Sequence, residues 1–179
     1  MSDHGTMIDK NTLRFERLLP GPIERVWAYL TEADKRAKWF AGGEITPKKG
    51  GKLELKFDNS NVGSHAAPPP DHLKQYNGKH DSQHTVTIFE PPYRLGFDWS
   101  QGLDDGRSRV EFVLKEEGDK VRLTLTHSRL IEGPYRMKFA SGWHAHLVML
   151  GEVLADDVKS PFWSVFDGLE KTYTEKFGS

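Results

Sequence analysis

The chain has 179 residues, the length of one ordinary domain, and can bury enough apolar surface to fold without disulfides. Hydrophobic residues make up 36% and aromatic residues 11%, which excludes a disordered chain. A net charge of −1 provides no basic surface for nucleic acid, and the absence of cysteine excludes thiolate catalysis and iron–sulfur clusters.

The N-terminus predicts a tail followed by a strand. Residues 1–10 are small, polar and unpatterned, which is typical of a flexible tail. From Asn11 onward, apolar residues alternate with charged ones, as in a strand with one buried face, and its apolar members are Leu13, Phe15 and Leu19.

Two short helices are predicted next. A stripe at i, i+3, i+4 and i+7 predicts the first helix, and it consists of Ile23, Val26, Trp27 and Leu30. Thr31 and Asp34 have the spacing of a capping box, which predicts a second helix that ends near Trp39 and Phe40.

Five further segments alternate with period two and are separated by turn residues, which predicts an antiparallel meander with one face on a core. Their inward phases contain Leu53, Leu55 and Phe57; His84, Val86 and Ile88; Leu95, Phe97 and Trp99; Val110, Phe112 and Leu114; and Val121, Leu123, Leu125 and His127.

Residues 59–80 interrupt this meander with a long polar loop that carries His65, His72, His80 and three consecutive prolines. A loop of this length inside a domain is either functional or disordered, and both interpretations stay open. The functional one is a mobile lid or flap, which becomes ordered when a ligand or a neighbouring chain supplies additional contacts.

The C-terminal region predicts two helices. The first carries an apolar stripe that includes Trp143 and Leu147, with an interruption expected at Ser141 and Gly142. The second covers residues 161–177, with Ser160 as N-cap, and is expected to be appended to a single domain of residues 11–179.

These residues together resemble a known family over about residues 11–156. The matching series comprises Phe15-Glu16-Arg17, Pro22 to Trp27, Trp39, Glu90-Pro91-Pro92 with Leu95 and Trp99, Leu125-Thr126-His127, and Gly142-Trp143 with Leu147 and Leu150. It resembles the SRPBCC (START-like) superfamily, within it the branch named after activators of the heat-shock protein 90 ATPase. The resemblance implies an α+β helix-grip fold, in which a curved antiparallel sheet wraps a long C-terminal helix and leaves a cavity between them.

Inward aromatic residues from many elements would line a mostly apolar pocket in such a fold. The predicted ligand-binding residues are Trp39, Phe57, Phe97, Trp99, Phe112, His127, Trp143, His146, Leu147 and Leu150. No metal is expected, because His144 and His146 point about 200° apart on a helix and His144 would face water.

The leading functional hypothesis is binding of a small, largely apolar molecule, without a cofactor and without catalysis. One alternative is a cyclase- or dehydratase-like enzyme, as in some superfamily relatives, with His127 or His146 as general acid–base. A second alternative is a co-chaperone-type regulator of a heat-shock ATPase.

Expectations about location and partners follow from what the sequence lacks. The chain shows no signal peptide and no apolar run long enough to span a membrane, which favours the cytoplasm. Neither nucleic acid nor a membrane is an expected partner. A homodimer and a chaperone partner are left open.

Overall fold

A computed structural model describes residues 3–100 and 107–178 of the chain. Within these residues, seven strands and four helices follow one another as β1 Thr6–Asp9, β2 Thr12–Pro20, α1 Ile23–Thr31, α2 Ala33–Arg36, β3 Lys52–Asp58, β4 Lys79–Glu90, β5 Arg94–Ser100, β6 Arg107–Glu117, β7 Lys120–Ser128, α3 Tyr135–Leu154 and α4 Phe162–Phe177. None of the described helices is long and apolar enough to cross a membrane.

All the strands pair antiparallel in one curved sheet of order β1-β2-β7-β6-β5-β4-β3. Short turns join β1 to β2, β4 to β5 and β6 to β7, and in the β6–β7 turn Gly118 adopts a φ of 63° that favours glycine. After β2 the chain passes through α1 and α2 to β3 at the opposite edge of the sheet, and β7 later returns to pair with β2.

Helix α3 packs on the inward side chains of the sheet, as the helix-grip arrangement requires. Phe112 of β6 and Trp143 of α3 meet edge to face with ring centroids 5.9 Å apart. The core is continuous from β2 to β7, with Leu13 and Leu125 among its fully buried members. The predicted α+β helix-grip fold is therefore confirmed.

Helix α3 runs without a break through Ser141 and Gly142, so the expected interruption is wrong. The Ser141 hydroxyl donates to the carbonyl oxygen of Met137 at 2.8 Å, one turn earlier. This bond satisfies the hydroxyl inside the helix and removes the reason to end it there.

The N-terminus differs from the expected flexible tail at residues 6–9, which form β1 and pair with β2. The backbone N–H of Gly5 also donates to the Tyr173 hydroxyl at 2.6 Å. Most side chains of β1 are exposed, so the strand is held by backbone pairing and shows no apolar alternation in the sequence.

Two expected helix starts are also wrong. Thr31 is the last residue of α1, and its hydroxyl donates to the Trp27 carbonyl at 2.9 Å instead of capping α2. Helix α4 begins at Phe162 with Pro161 as N-cap, because the hydroxyl of Ser160 is bonded to the carboxylate of Glu152.

Residues 59–78 connect β3 to β4 and contain two 3₁₀ turns, Asn59–Asn61 and Asp71–Tyr76. Val62 and Leu73 are buried, and Trp163 Nε1 donates to Asn77 Oδ1 at 2.7 Å. The connection, called here the 59–78 segment, is thus docked against the start of α4. Its opening as a flap stays a prediction.

Candidate functional site

A cavity of about 840 Å³ lies between the β3 edge of the sheet, the 59–78 segment and helices α3 and α4. Its lining includes six aromatic side chains other than histidine, from four different parts of the fold, namely Phe57, Tyr76, Trp99, Phe162, Trp163 and Phe166. The remaining lining residues are Asn59, His72, Leu73, Gln75, Gly78, Lys79, His80, Ser82, His84, Lys138, Gly142, His146 and Glu170.

Three of the ten predicted ligand-binding residues, Phe57, Trp99 and His146, line this cavity. The other seven are buried in the core and are not among its lining residues; they are Trp39, Phe97, Phe112, His127, Trp143, Leu147 and Leu150. Inward phase places a side chain on the concave face, but α3 fills the middle of that face. The cavity forms where the sheet continues past α3, toward β3.

His127 is sealed in a chain of hydrogen bonds. Trp143 Nε1 donates to His127 Nδ1 at 3.0 Å, so the ring proton resides on Nε2 and is donated to Ser108 Oγ at 2.7 Å. The Ser108 hydroxyl donates in turn to the Trp99 carbonyl at 3.1 Å. Burial lowers the pKa of His127 to about 3, so the ring is neutral and both its nitrogens are occupied.

His146 is anchored at one nitrogen only. Its Nδ1–H donates to the backbone carbonyl of Trp39 at 2.7 Å, which leaves Nε2 as a lone-pair acceptor. Its ring lies 4.6 Å from the Phe162 ring and 5.1 Å from the Phe40 ring, between centroids. Burial lowers its pKa to about 4, although the bond to Trp39 opposes this, so it stays neutral near pH 7.

The buried guanidinium of Arg36 holds the turn that presents the Trp39 carbonyl. Arg36 Nε donates to the Ala41 carbonyl at 2.9 Å, and its terminal nitrogens donate to further carbonyls, including that of Leu30 at 3.3 Å. Burial lowers the pKa of Arg36 to about 10, which still leaves it charged near pH 7. The residue was not singled out in the sequence, since a lone arginine in a short helix is usually exposed.

His84 and Ser82 form a second polar group on the cavity wall that the sequence did not assign to a site. His84 Nδ1–H donates to the Asp98 carbonyl at 2.9 Å, so its Nε2 accepts from the Ser82 hydroxyl at 2.7 Å. The pKa of His84 is lowered, mainly by burial. The sequence did carry a signal for His84, because it shares the inward phase of its strand with Val86 and Ile88.

The N-terminal part of α4 supplies the outer wall of the cavity through Phe162, Trp163 and Phe166. An apolar stripe on this helix, including Phe162 and Phe166, was visible in the sequence. The sequence did not reveal which surface this stripe packs against, because α4 lies outside the residues that resemble the family.

His144 is buried, with 6% of its surface exposed, so the expectation that it faces water is wrong. Its Nδ1 lies 2.9 Å from the hydroxyl of Tyr173, which reaches it from α4. Burial, and next the charge of Arg17, lower the pKa of His144 to about 4. The reason is that α4 covers the face of α3 that would otherwise meet solvent.

Metal ligands were not expected in this chain, yet three residues at the cavity rim have suitable atoms. His72 Nε2 lies 3.1 Å from Asp167 Oδ1 and 3.9 Å from Glu170 Oε2, and the group fits within 4.8 Å. His72 is largely exposed, and Asp167 is also paired with Lys171 at 3.2 Å. The contact between His72 and Asp167 joins the 59–78 segment to α4, and the group is not assigned as a metal site.

Comparisons with known structures support the same architecture. A Bordetella parapertussis protein solved by NMR is 42% identical, with a TM-score of 0.83 over 98% of this chain and 91% of that one. CalU16 of Micromonospora echinospora is 21% identical, with a TM-score of 0.67 over 94% of this chain and 89% of that one. The Aha1 dimer of Colwellia psychrerythraea is 15% identical, with a TM-score of 0.60 over 80% and 95%, respectively. The last two likenesses show the fold alone.

Sequence comparison with curated proteins returns no match. Residues 20–155, most of the chain, match the family described as Activator of Hsp90 ATPase homolog 1-like protein. This range includes the sheet from β3 to β7 and helix α3, and therefore the inner wall of the cavity. The chain belongs to the Activator of Hsp90 ATPase homolog 1-like protein family.

Proposed function

We propose that the protein binds a small, largely apolar molecule in the cavity between the sheet, α3, α4 and the 59–78 segment. The observation that carries the proposal is a cavity of about 840 Å³ with aromatic side chains from β3, β5, α4 and the connecting segment. Ligand sites are typically clefts of about 300–1,000 Å³ with apolar walls and few polar groups.

The position of Gly142 provides a direct test. It lines the cavity from α3, and a Cβ placed there would meet the Phe166 ring at 4.0 Å, an ordinary contact. A Gly142→Leu variant therefore keeps its helical backbone while its longer side chain occupies cavity volume. Gly151 lies on the same helix with nothing within 4 Å of a Cβ and does not line the cavity, so Gly151→Leu is the matched control.

The measurement is titration with the neutral fluorescent probe N-phenyl-1-naphthylamine, together with native mass spectrometry of protein purified from its own cells. We expect the wild type and Gly151→Leu to bind the probe with similar affinity, and Gly142→Leu to bind at least about tenfold more weakly. Equal binding by all three proteins would place the probe elsewhere and would contradict the proposal.

Of the two histidines considered as general acid–base in the enzyme alternative, only one is placed to meet a substrate in the cavity. His127 has both nitrogens occupied and does not line the cavity, whereas His146 does line it. A general base works best with a pKa near the operating pH, and that of His146 is about 4. These features favour binding over proton transfer.

The co-chaperone alternative is supported by the description of the family. A pull-down with the middle domain of the chaperone tests it, and we expect no capture. A homodimer also stays a prediction for this chain, and light scattering measures it.

A further inference from the structure

Nε2 of His146, which lines the cavity, has no hydrogen-bond partner among the described residues. His146 is 7% exposed, and its hydrogen bond to the Trp39 carbonyl uses Nδ1. The fully enclosed side-chain atoms without a partner in the described chain belong to Arg17, Asn59 and Arg136, and Nε2 of His146 is not one of them. Because Nε2 makes no hydrogen bond with a described residue either, it must be accessible from the cavity.

The protonation of the ring decides what this atom can accept. With Nδ1–H committed to a carbonyl oxygen, Nε2 presents a lone pair, and the neutral form is retained near pH 7 because burial disfavours the charged form. A lone pair attracts an O–H or N–H donor and repels a carboxylate. His146 therefore recognises a donor.

The neighbouring polar group offers the same kind of atom. The hydroxyl proton of Ser82 is donated to His84 Nε2, which leaves the oxygen of Ser82 with acceptor capacity. The lysines that line the cavity, Lys79 and Lys138, are exposed, so positive charge is confined to the solvent side. Nothing among the described buried lining groups is charged to stabilise an anion at depth.

The surroundings of Nε2 are aromatic. The rings of Phe162 and Phe57 lie 4.6 and 6.5 Å from the imidazole, between centroids, and Phe162 is tilted by 39° to it. A flat ring that carries the donor can contact these walls while its O–H meets Nε2. Aromatic pairs in offset-stacked or edge-to-face arrangements gain energy beyond the area that they bury, which favours an aromatic ring over an aliphatic chain here.

We propose that the cavity selects a neutral aromatic hydroxyl compound whose O–H donates to Nε2 of His146. This inference rests on the proposed function and adds to it a ligand class and the residue that determines specificity. A site that hydrogen-bonds a substrate hydroxyl discriminates strongly against the analogue without it, because the buried acceptor is then left unpaired.

The test compares three ligands of similar shape, 2-naphthol, 2-methoxynaphthalene and 2-naphthoate, by isothermal titration at pH 7.5. We expect the wild type to bind 2-naphthol about tenfold more tightly than its methyl ether, and 2-naphthoate more weakly than either. A His146→Asn variant retains an N–H for the Trp39 carbonyl but lacks the Nε2 acceptor. In it, the preference for naphthol over the ether should fall to about twofold or less.

His144→Asn is the matched control, since His144 is a buried histidine of the same helix that does not line the cavity. It should retain the tenfold preference. Should His146→Asn fail to fold, the ¹⁵N resonance of His146 Nε2 in the wild type provides a second readout, because a donated hydrogen bond from 2-naphthol shifts it upfield and the methyl ether does not.

The outcomes separate the two proposals. Equal affinity of the wild type for naphthol and its ether overturns the inference about the ligand class and leaves the binding function standing. A tenfold preference that survives in His146→Asn overturns the assignment to His146. If none of the three ligands and no fluorescent probe binds, the proposed function itself fails.

Discussion

His144 and His146 lie two positions apart on α3, and both are buried, but they belong to different halves of the molecule. On the side of His144, Tyr173 of α4 reaches the helix and also accepts a hydrogen bond from Gly5, which joins α4 to the N-terminal segment. On the side of His146, the beginning of α4 lies over a cavity.

The difference shows that one helix, α3, can close the core on one side and line a cavity on another. In the sealed half, which also contains His127, both ring nitrogens of His127 have protein partners. In the open half, Nε2 of His146 has none within the described chain. What distinguishes His146 from His144 is that its ring lines the cavity, so its unpaired nitrogen is available to a ligand.

The largest effect on stability is expected when His127 of the sealed half is replaced. A His127→Ala variant removes a fully buried ring and leaves Trp143 and Ser108 without their partner, so we expect the free energy of unfolding to fall by about 3–5 kcal/mol. Urea denaturation measures it. His65→Ala, at an exposed position, should change stability by less than about 0.5 kcal/mol. A loss below about 1 kcal/mol for His127→Ala would mean that the ring is not held as described.

Acid should weaken the folded state through the buried imidazoles of both halves. Unfolded histidine has a pKa near 6.5, whereas the folded pKa values of His127 and His146 are about 3 and about 4. The unfolded state therefore binds more protons as the pH falls below 6.5, and stability present above that pH is progressively lost. Each of the two groups should remove about 2 kcal/mol by pH 5.

Comparing the wild type with a variant that lacks the His146 imidazole isolates the contribution of His146 to the loss of stability in acid. Between pH 7.5 and pH 5, the His146→Asn variant should lose about 2 kcal/mol less than the wild type in urea denaturation, since the carboxylates titrate alike in both. Identical losses would contradict the depressed pKa of His146.

A smaller effect is expected at the contact between α4 and the N-terminus. Tyr173→Phe removes the acceptor of the Gly5 N–H and the partner of His144, at a cost of about 1–2 kcal/mol. Hydrogen exchange should accelerate at residues 5–9, while probe binding in the cavity stays unchanged. Tyr93→Phe, at a side chain 51% exposed, is the control without an expected effect. Weakened probe binding in Tyr173→Phe would show that the two halves are coupled.

The smallest energetic effect is expected for the 59–78 segment of the open half. Two side chains, Val62 and Leu73, provide its buried anchors, and residues 65–68 between them are exposed. We expect its amides to exchange faster than those of β6 in the free protein and to slow when 2-naphthol is added. Strong protection in the free monomer would make the segment a fixed structural insert.

The fold could be predicted because its signals are local and repeated. Period-two alternation identified β2 and β3 to β7, and the ordered resemblance supplied the way they are arranged around α3. The exceptions are elements whose stability comes from backbone pairing or distant contacts. Strand β1 has mostly exposed side chains, and a pattern-based prediction cannot detect it.

The site was predictable only in part. The alternation of residues along a strand shows which face of the sheet a side chain lies on, but it does not show where on that face the cavity forms. Phe97 and Trp99 share one phase of β5, yet only Trp99 reaches the cavity. The burial of His144 depends on a helix that arrives from residues 162–177. The partners of His84 and His146 include backbone carbonyls, which any residue at that position would provide.

One consequence concerns how the protein can diversify. The atom that fixes the tautomer of His146 is the main-chain oxygen of Trp39, so no side-chain replacement deletes it. The turn that positions it is held by Arg36 through other main-chain oxygens. If the proposed binding function holds, selection can exchange the aromatic walls one at a time for new shapes of ligand, while the main-chain contact that orients His146 is inherited unchanged.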